Sequence, residues 1–148
     1  LHLGYFPPCG LSVLPTPVSG ATAAAYFAHF GLTIPEWRVM AVLAANPGLS
    51  AAEVTARTAM DKVAVSRAVA ALLSAGRLRR TTAKADRRRT HLELTPAGRR
   101  VYSQVVPMAL DYERHLVAPL SKKDRDVLDR LLRVLLGRAV ELGPAHVE

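Results

Sequence analysis

At 148 residues, half of them hydrophobic, the chain is long enough for one domain with a true core, and its apolar runs are too short to span a bilayer. A single cysteine, Cys9, excludes an intrachain disulfide framework and fits a reducing, cytoplasmic compartment. The formal net charge of +8 is unevenly placed: residues 57–100 hold twelve Lys/Arg against three acids (Asp61, Asp86, Glu93), and the remaining residues hold eight against nine. A basic excess confined to one segment is the footprint of a surface that binds a polyanion, because each phosphate neutralised releases a condensed counterion.

Residues 1–16 are rich in Pro and Gly and read as an extended N-terminal arm, since Pro7, Pro8 and Pro15, with Pro17 just beyond, oppose a continuous helix. The arm has neither the basic n-region nor the apolar core of a signal peptide, and Phe6-Pro7-Pro8-Cys9 lacks the small residues that precede a lipidated cysteine. Thr16-Pro17 can cap and open a helix running to about Phe30, with Gly31 as its stop. Thr33-Ile34-Pro35-Glu36 is a capping-box pattern, and Trp37, Met40, Ala41 and Leu43 keep helical spacing up to Asn46-Pro47-Gly48.

Ser50-Ala51-Ala52-Glu53 is a second capping box and opens a short helix to about Thr58. Asp61 can cap a helix from Lys62 to Ala75, closed by Gly76. Leu78 to Ala83 and Thr90 to Leu94 are short strand-like runs, and between them a tight turn carries Asp86, Arg87, Arg88 and Arg89. Thr95-Pro96 starts a long helix in which Pro107 is expected to introduce a kink, and Pro119 follows its end. Ser121-Lys122-Lys123-Asp124 begins a last helix with Val127, Leu128, Leu131, Leu132, Val134, Leu135 and Leu142 on its apolar face.

Two helices joined by a turn and followed by a basic hairpin suit a protein that enters one DNA groove and touches the next. On the Lys62–Ala75 helix, Val65, Ala68, Val69 and Leu72 recur at i, i+3, i+4 and i+7 and face the core, leaving Lys62, Val63, Ala64, Ser66 and Arg67 near the amino end. Base edges are read by such amino-terminal residues in a helix-turn-helix: Arg67 can pair with a guanine edge or bind phosphate, Ser66 can reach either, and Ala64 or Val63 can touch a thymine methyl. The competing account is an ordinary amphipathic helix with solvated charges. At the hairpin, Lys84, Arg87, Arg88 and Arg89 suit the negative potential of a narrow minor groove, while Asp86 would bond turn backbone or brace an arginine.

The order Ser50-Ala51-Ala52-Glu53, Val65-Ser66-Arg67, Leu72, Gly76, Asp86-Arg87-Arg88 and Leu94-Thr95-Pro96-Ala97-Gly98 resembles the MarR family of winged-helix transcription regulators. The run Phe30-Gly31-Leu32-Thr33-Ile34-Pro35-Glu36-Trp37-Arg38-Val39 is similar to the stretch before the helix-turn-helix in some members. The resemblance covers roughly Tyr26 to Leu142, and Asp-x-Arg followed by Leu-Thr-x-x-Gly is its most specific part. It implies a mainly α fold with a small β-hairpin wing (α+β): one MarR-like domain over residues 1–148, a winged helix-turn-helix lobe at 49–95, and dimerisation and support helices at 17–46 and 96–142. It further implies a homodimer with interlocked terminal helices whose two lobes straddle a pseudo-palindromic operator in double-stranded DNA, about 34–36 Å apart, and action as a repressor. By the same resemblance Lys62, Ala64, Ser66 and Arg67 fall in the major-groove helix and Asp86, Arg87 and Arg88 in the wing, with Arg89 beside them. One departure concerns the first helix: Pro15, Pro17 and Gly20 cut into a region that is a long helix in most members.

Relatives in this family often bind a small aromatic or lipophilic effector between the dimer helices and the winged lobe. Here Tyr26, His29, Phe30, Trp37, Met40, Met108 and Tyr112 are the candidates, although aromatics at helical spacing are more often core packing. Cys9 has the position of a redox sensor in some relatives but no basic neighbours to lower its pKa, which favours an incidental thiol. His2, His29, His91, His115 and His146 are scattered without ligand-like spacing, so neither a metal nor a cofactor is expected. No Gly-rich phosphate loop, nucleophile elbow, Cys-His arrangement or carboxylate cluster points to an enzyme. The alternative is a basic RNA-binding or structural nucleoid-type protein without operator specificity; the single localised basic window and the lack of RRM-type stacking motifs weigh against it.

Overall fold

The computed structural model describes residues 20, 24–26, 28–58, 60–83 and 86–142, with backbone only at 83 and 86–89. The expected arm at 1–16, the helix start at Thr16-Pro17, and Cys9 lie outside the described residues. The chain divides into two compact units, residues 1–109 and 110–148.

In the first unit, residues 24–26 and 28–30 are helical and Gly31 breaks the run. Helix α1 (Ile34–Ala45) opens on the Thr33–Glu36 capping box, both halves of which are formed. Helix α2 (Ala51–Thr58) begins with the second box: Ser50 N–H and hydroxyl donate to Glu53 Oε2 at 2.8 and 2.7 Å, and Glu53 N–H donates back to Ser50 Oγ at 3.3 Å. These bonds, the Ser50 backbone N–H first and its hydroxyl second, hold the Glu53 carboxyl below the usual carboxylate pKa. Helix α3 (Lys62–Ser74) buries Val65, Ala68, Val69 and Leu72, the four positions of the expected apolar stripe. It ends in a Schellman motif: Gly76 N–H donates to Leu73 O, Arg77 N–H to Leu72 O, and Gly76 has φ 66°, a left-handed conformation that glycine adopts without penalty.

Strands β1 (Leu78–Ala83) and β2 (Asp86–Leu94) form an antiparallel hairpin running from Leu78↔Leu94 at its base to Ala83↔Asp86, with an irregularity between Thr82 and Ala83. This corrects the expected boundaries. Asp86–Arg89 are strand residues rather than a turn, so the ribbon is longer than the run Thr90–Leu94 suggested. The register steps from Thr82↔Thr90 to Ala83↔Asp86 and passes over Arg87–Arg89, and a run of like charges at that step gives no alternation to read. A third segment joins the ribbon: Leu49 bridges Leu92, with Gly48 N–H donating to Leu92 O at 3.1 Å and Leu92 N–H to Leu49 O at 2.8 Å. The hairpin is thereby tied to the residues that lead into α2.

Helix α4 (Pro96–Val117) continues through Pro107. Its first turn locks onto the end of α3. Thr95 N–H donates to Arg77 O at 3.0 Å, Thr95 Oγ1 donates to Gly76 O at 2.6 Å, and Gly98 N–H donates to Thr95 Oγ1 at 3.0 Å. Arg77 reaches back in turn, its guanidinium donating to Phe30 O at 2.5 Å. A Cβ on Gly98 would collide with the Arg77 carbonyl oxygen and lie 3.0 Å from its carbon, so the Leu-Thr-x-x-Gly motif is a packing requirement. Around these elements lies a core that includes Leu32, Val39, Met40, Leu43, Val54 and Val105, with no buried polar residue among those described.

In the second unit, helix α5 (Lys122–Leu142) follows the carboxyl-terminal part of α4 and opens with Ser121 capping Asp124. None of its residues is buried. Leu128, Leu131, Leu132 and Leu135 stay 41–49% exposed at i, i+3, i+4 and i+7, a spacing that lines one helical face. No described helix is long and apolar enough to cross a membrane.

Candidate nucleic-acid interface

The amino end of α3 is held by Asp61, whose Oδ1 accepts from Ala64 N–H at 2.8 Å. With Val65, Ala68, Val69 and Leu72 turned inward against α1, α2 and β1, Lys62, Val63, Ser66 and Arg67 are left exposed and Ala64 half-buried. Two clefts flank this crest. On the hairpin side, Lys62 and Ser66 share an open cleft of about 430 Å³ with Ala51, Ala52 and Thr55 of α2 and with Arg80 of β1. On the other side, Ala64 and Arg67 line a groove with Thr33, Pro35 and Glu36 at the start of α1. The predicted helix residues thus divide: Lys62 and Ser66 converge with the hairpin, while Arg67 and Ala64 face the opposite flank.

Of the cations in the basic window, several are occupied by the fold. Arg77 holds Phe30 O, Arg57 donates to Asn46 Oδ1 at 2.8 Å, and Arg79 forms a cross-strand ion pair with Glu93 at 2.8 Å. Arg80 is different. It shares a strand face with buried Leu78 and pairs in register with buried Leu92, which carries it toward the helix pair rather than away from it. In the sequence it is one charge among twelve; the signal that distinguishes it from Arg79 is its alternation with Leu78. The backbone of Asp86–Arg89 lies in β2, toward the distal end of the hairpin. The expected contacts of Lys84 and of the Asp86, Arg87, Arg88 and Arg89 side chains, including the bracing role of Asp86, lie outside the described residues and side chains.

The effector candidates fall in several environments. Tyr26 and Met40 belong to the buried core, and burial raises the Tyr26 pKa. Phe30, Trp37 and Met108 are partly buried and pack against that core, His29 is exposed, and Tyr112 lies partly buried in the second unit. Trp37 meets Tyr26 edge-on at 5.7 Å and stacks on Tyr102 at 5.4 Å, so Tyr102 completes an aromatic trio that spacing alone does not reveal.

The sequence model of the MarR family matches residues 30–89, which span α1 to the arginines of β2. A protein of Thauera aromatica assigned to transcriptional regulation of the hcr operon is 30% identical over 117 residues, 79% of this chain and 70% of that one. The chain belongs to the MarR family. A MarR/EmrR regulator from Acinetobacter sp. ADP1 has the same fold, with a TM-score of 0.87 at 24% identity over 93% of this chain and 97% of that one. The PcaV regulator of Streptomyces coelicolor, solved with its natural ligand, superposes with a TM-score of 0.79 at 24% identity over 93% and 96%. The helices and the two-stranded antiparallel hairpin match the MarR winged-helix fold. The protein is a DNA-binding transcriptional regulator rather than an enzyme.

Proposed function

We propose that this MarR-family regulator binds a pseudo-palindromic operator as a homodimer, represses transcription there, and is released by a small aromatic or lipophilic effector. The observation that carries the reading is the crest of α3, exposed between two clefts with cations on both flanks. Arg67 reads a base edge in the major groove. Lys62, Ser66 and Arg80 hold backbone phosphate on the wing side, and Arg87, Arg88 and Arg89 carry the wing into the adjacent minor groove, with Asp86 bracing them. Ala64 supports the helix at the α1 flank. Residues 49–95 act as the DNA-binding lobe and residues 17–46 and 96–142 as support and dimerisation helices; the exposed leucine row of α5 supports that division. The likeness to PcaV, which was solved with a ligand, supports an effector.

Selection of bound duplexes from a random library tests the reading in one step. Enriched sequences should contain two inverted half-sites centred about one helical turn apart. Equal retention of RNA and unselected duplex would sink operator specificity and favour a general nucleic-acid-binding role. Arg67→Ala should cost about 1–3 kcal/mol on the selected operator and relax preference at one position per half-site. An even loss across all sequences would make Arg67 a phosphate contact. Arg80→Ala and Arg88→Ala should each lower the salt slope of binding by about one unit per subunit with sequence preference kept; an unchanged slope removes that arginine from the interface.

A further inference from the structure

Every large apolar side chain exposed among the described residues lies in the second unit, from Leu110 onward, except one. Val63, the second residue of α3, is 58% exposed. Helix propensity does not account for it there. A β-branched residue forms helix less well than alanine, and an exposed position gives no burial in return. Its place does distinguish it. On helical spacing Val63 lies beside Ser66, Arg67 and Ala70, at the outward edge between the wing-side cleft and the α1-side groove. Ala64, the other small apolar residue at this end, is half-buried in the groove beside Thr33 and Pro35 and is turned away from that edge.

An apolar group presented to the major groove finds one apolar feature on the base edges, the C5 methyl of thymine. We propose that Val63 specifies a thymine in each half-site through contact of its isopropyl group with that methyl, with Lys62 and Arg67 on either side fixing the depth of the helix. This inference rests on the assignment of α3 as the major-groove helix.

The test uses the operator recovered by random-duplex selection, with each thymine replaced in turn by deoxyuridine, which removes only the methyl. Wild-type protein should lose affinity about fourfold per half-site at one position, the value of one buried methylene-sized group. Val63→Ala should be indifferent to deoxyuridine at that position and unchanged elsewhere, and it should fold normally because alanine is the better helix former. If Val63→Ala responds to every replacement as wild type does, or if wild type responds to none, Val63 does not read thymine, while the operator assignment stands. If selection enriches no sequence, the assignment of α3 falls and this inference with it.

Discussion

Leu131→Asp together with Leu135→Asp is expected to leave the protein monomeric at micromolar concentration and to abolish operator binding at concentrations that saturate wild type. Both side chains belong to the α5 row that is left about half exposed among the described residues. In a twofold assembly the pair removes four leucines from the interface. At about 1.5–3 kcal/mol for full burial, and with about half of each side chain already covered, the four leucines account for about 3–6 kcal/mol, to which placing four carboxylates there adds several more. A combined change of about 6 kcal/mol or more moves a nanomolar dimer into the tens of micromolar or weaker. Sedimentation equilibrium measures the mass, and a gel shift on the selected operator measures the consequence. Because α5 contributes no buried residue to the chain, far-ultraviolet circular dichroism should still report a folded protein. A doubly substituted protein that keeps the dimer mass would place the interface elsewhere.

Gly98→Ala should destabilise the fold by about 3–5 kcal/mol, lowering the Tm by about 10 °C or more. Glycine-to-alanine inside a helix ordinarily stabilises by about 1 kcal/mol, so the sign alone is diagnostic. Here the added methyl meets a backbone carbonyl, that of Arg77, which cannot rotate aside as a side chain would. Relief requires the first turn of α4 to lift, and lifting it strains the bonds from Thr95 to Gly76 and from Gly98 to Thr95. The loss is a large share of the roughly 5–15 kcal/mol that holds a domain of this kind together. Thermal denaturation followed by circular dichroism decides it, and a variant as stable as wild type would mean that the α4 start is less closely packed than described.

The parts of the fold that local chemistry specifies were legible in the sequence. Thr33–Glu36, Ser50–Glu53 and Asp61 marked three helix starts because a side-chain oxygen at those positions satisfies amide groups that have no other partner. Val65, Ala68, Val69 and Leu72 marked the buried face of α3 because the helical period put them together. What escaped detection depends on contacts distant in the chain. The Leu49–Leu92 bridge involves a single residue on one side and leaves no periodic trace. The start of β2 at Asp86 was hidden by a charge run equally compatible with a turn. Arg80 differs from Arg79 in the sequence only by its alternation with Leu78, a faint signal that gains meaning once the register sets it opposite Leu92. The effector candidates could not be sorted at all, because a core and a ligand pocket draw on the same aromatic and methionine side chains.

The hydrogen-bonded knot at the base of the hairpin has a consequence for how such a chain can vary. Arg77 and Thr95 pin the two legs of the ribbon to each other and to the ends of α3 and α4. The base of the ribbon is therefore set by the helices on either side of it and not by the length of the strands beyond it. Shortening the hairpin beyond Thr82 is expected to leave the junction of α3 and α4, and with it the thermal stability, unchanged.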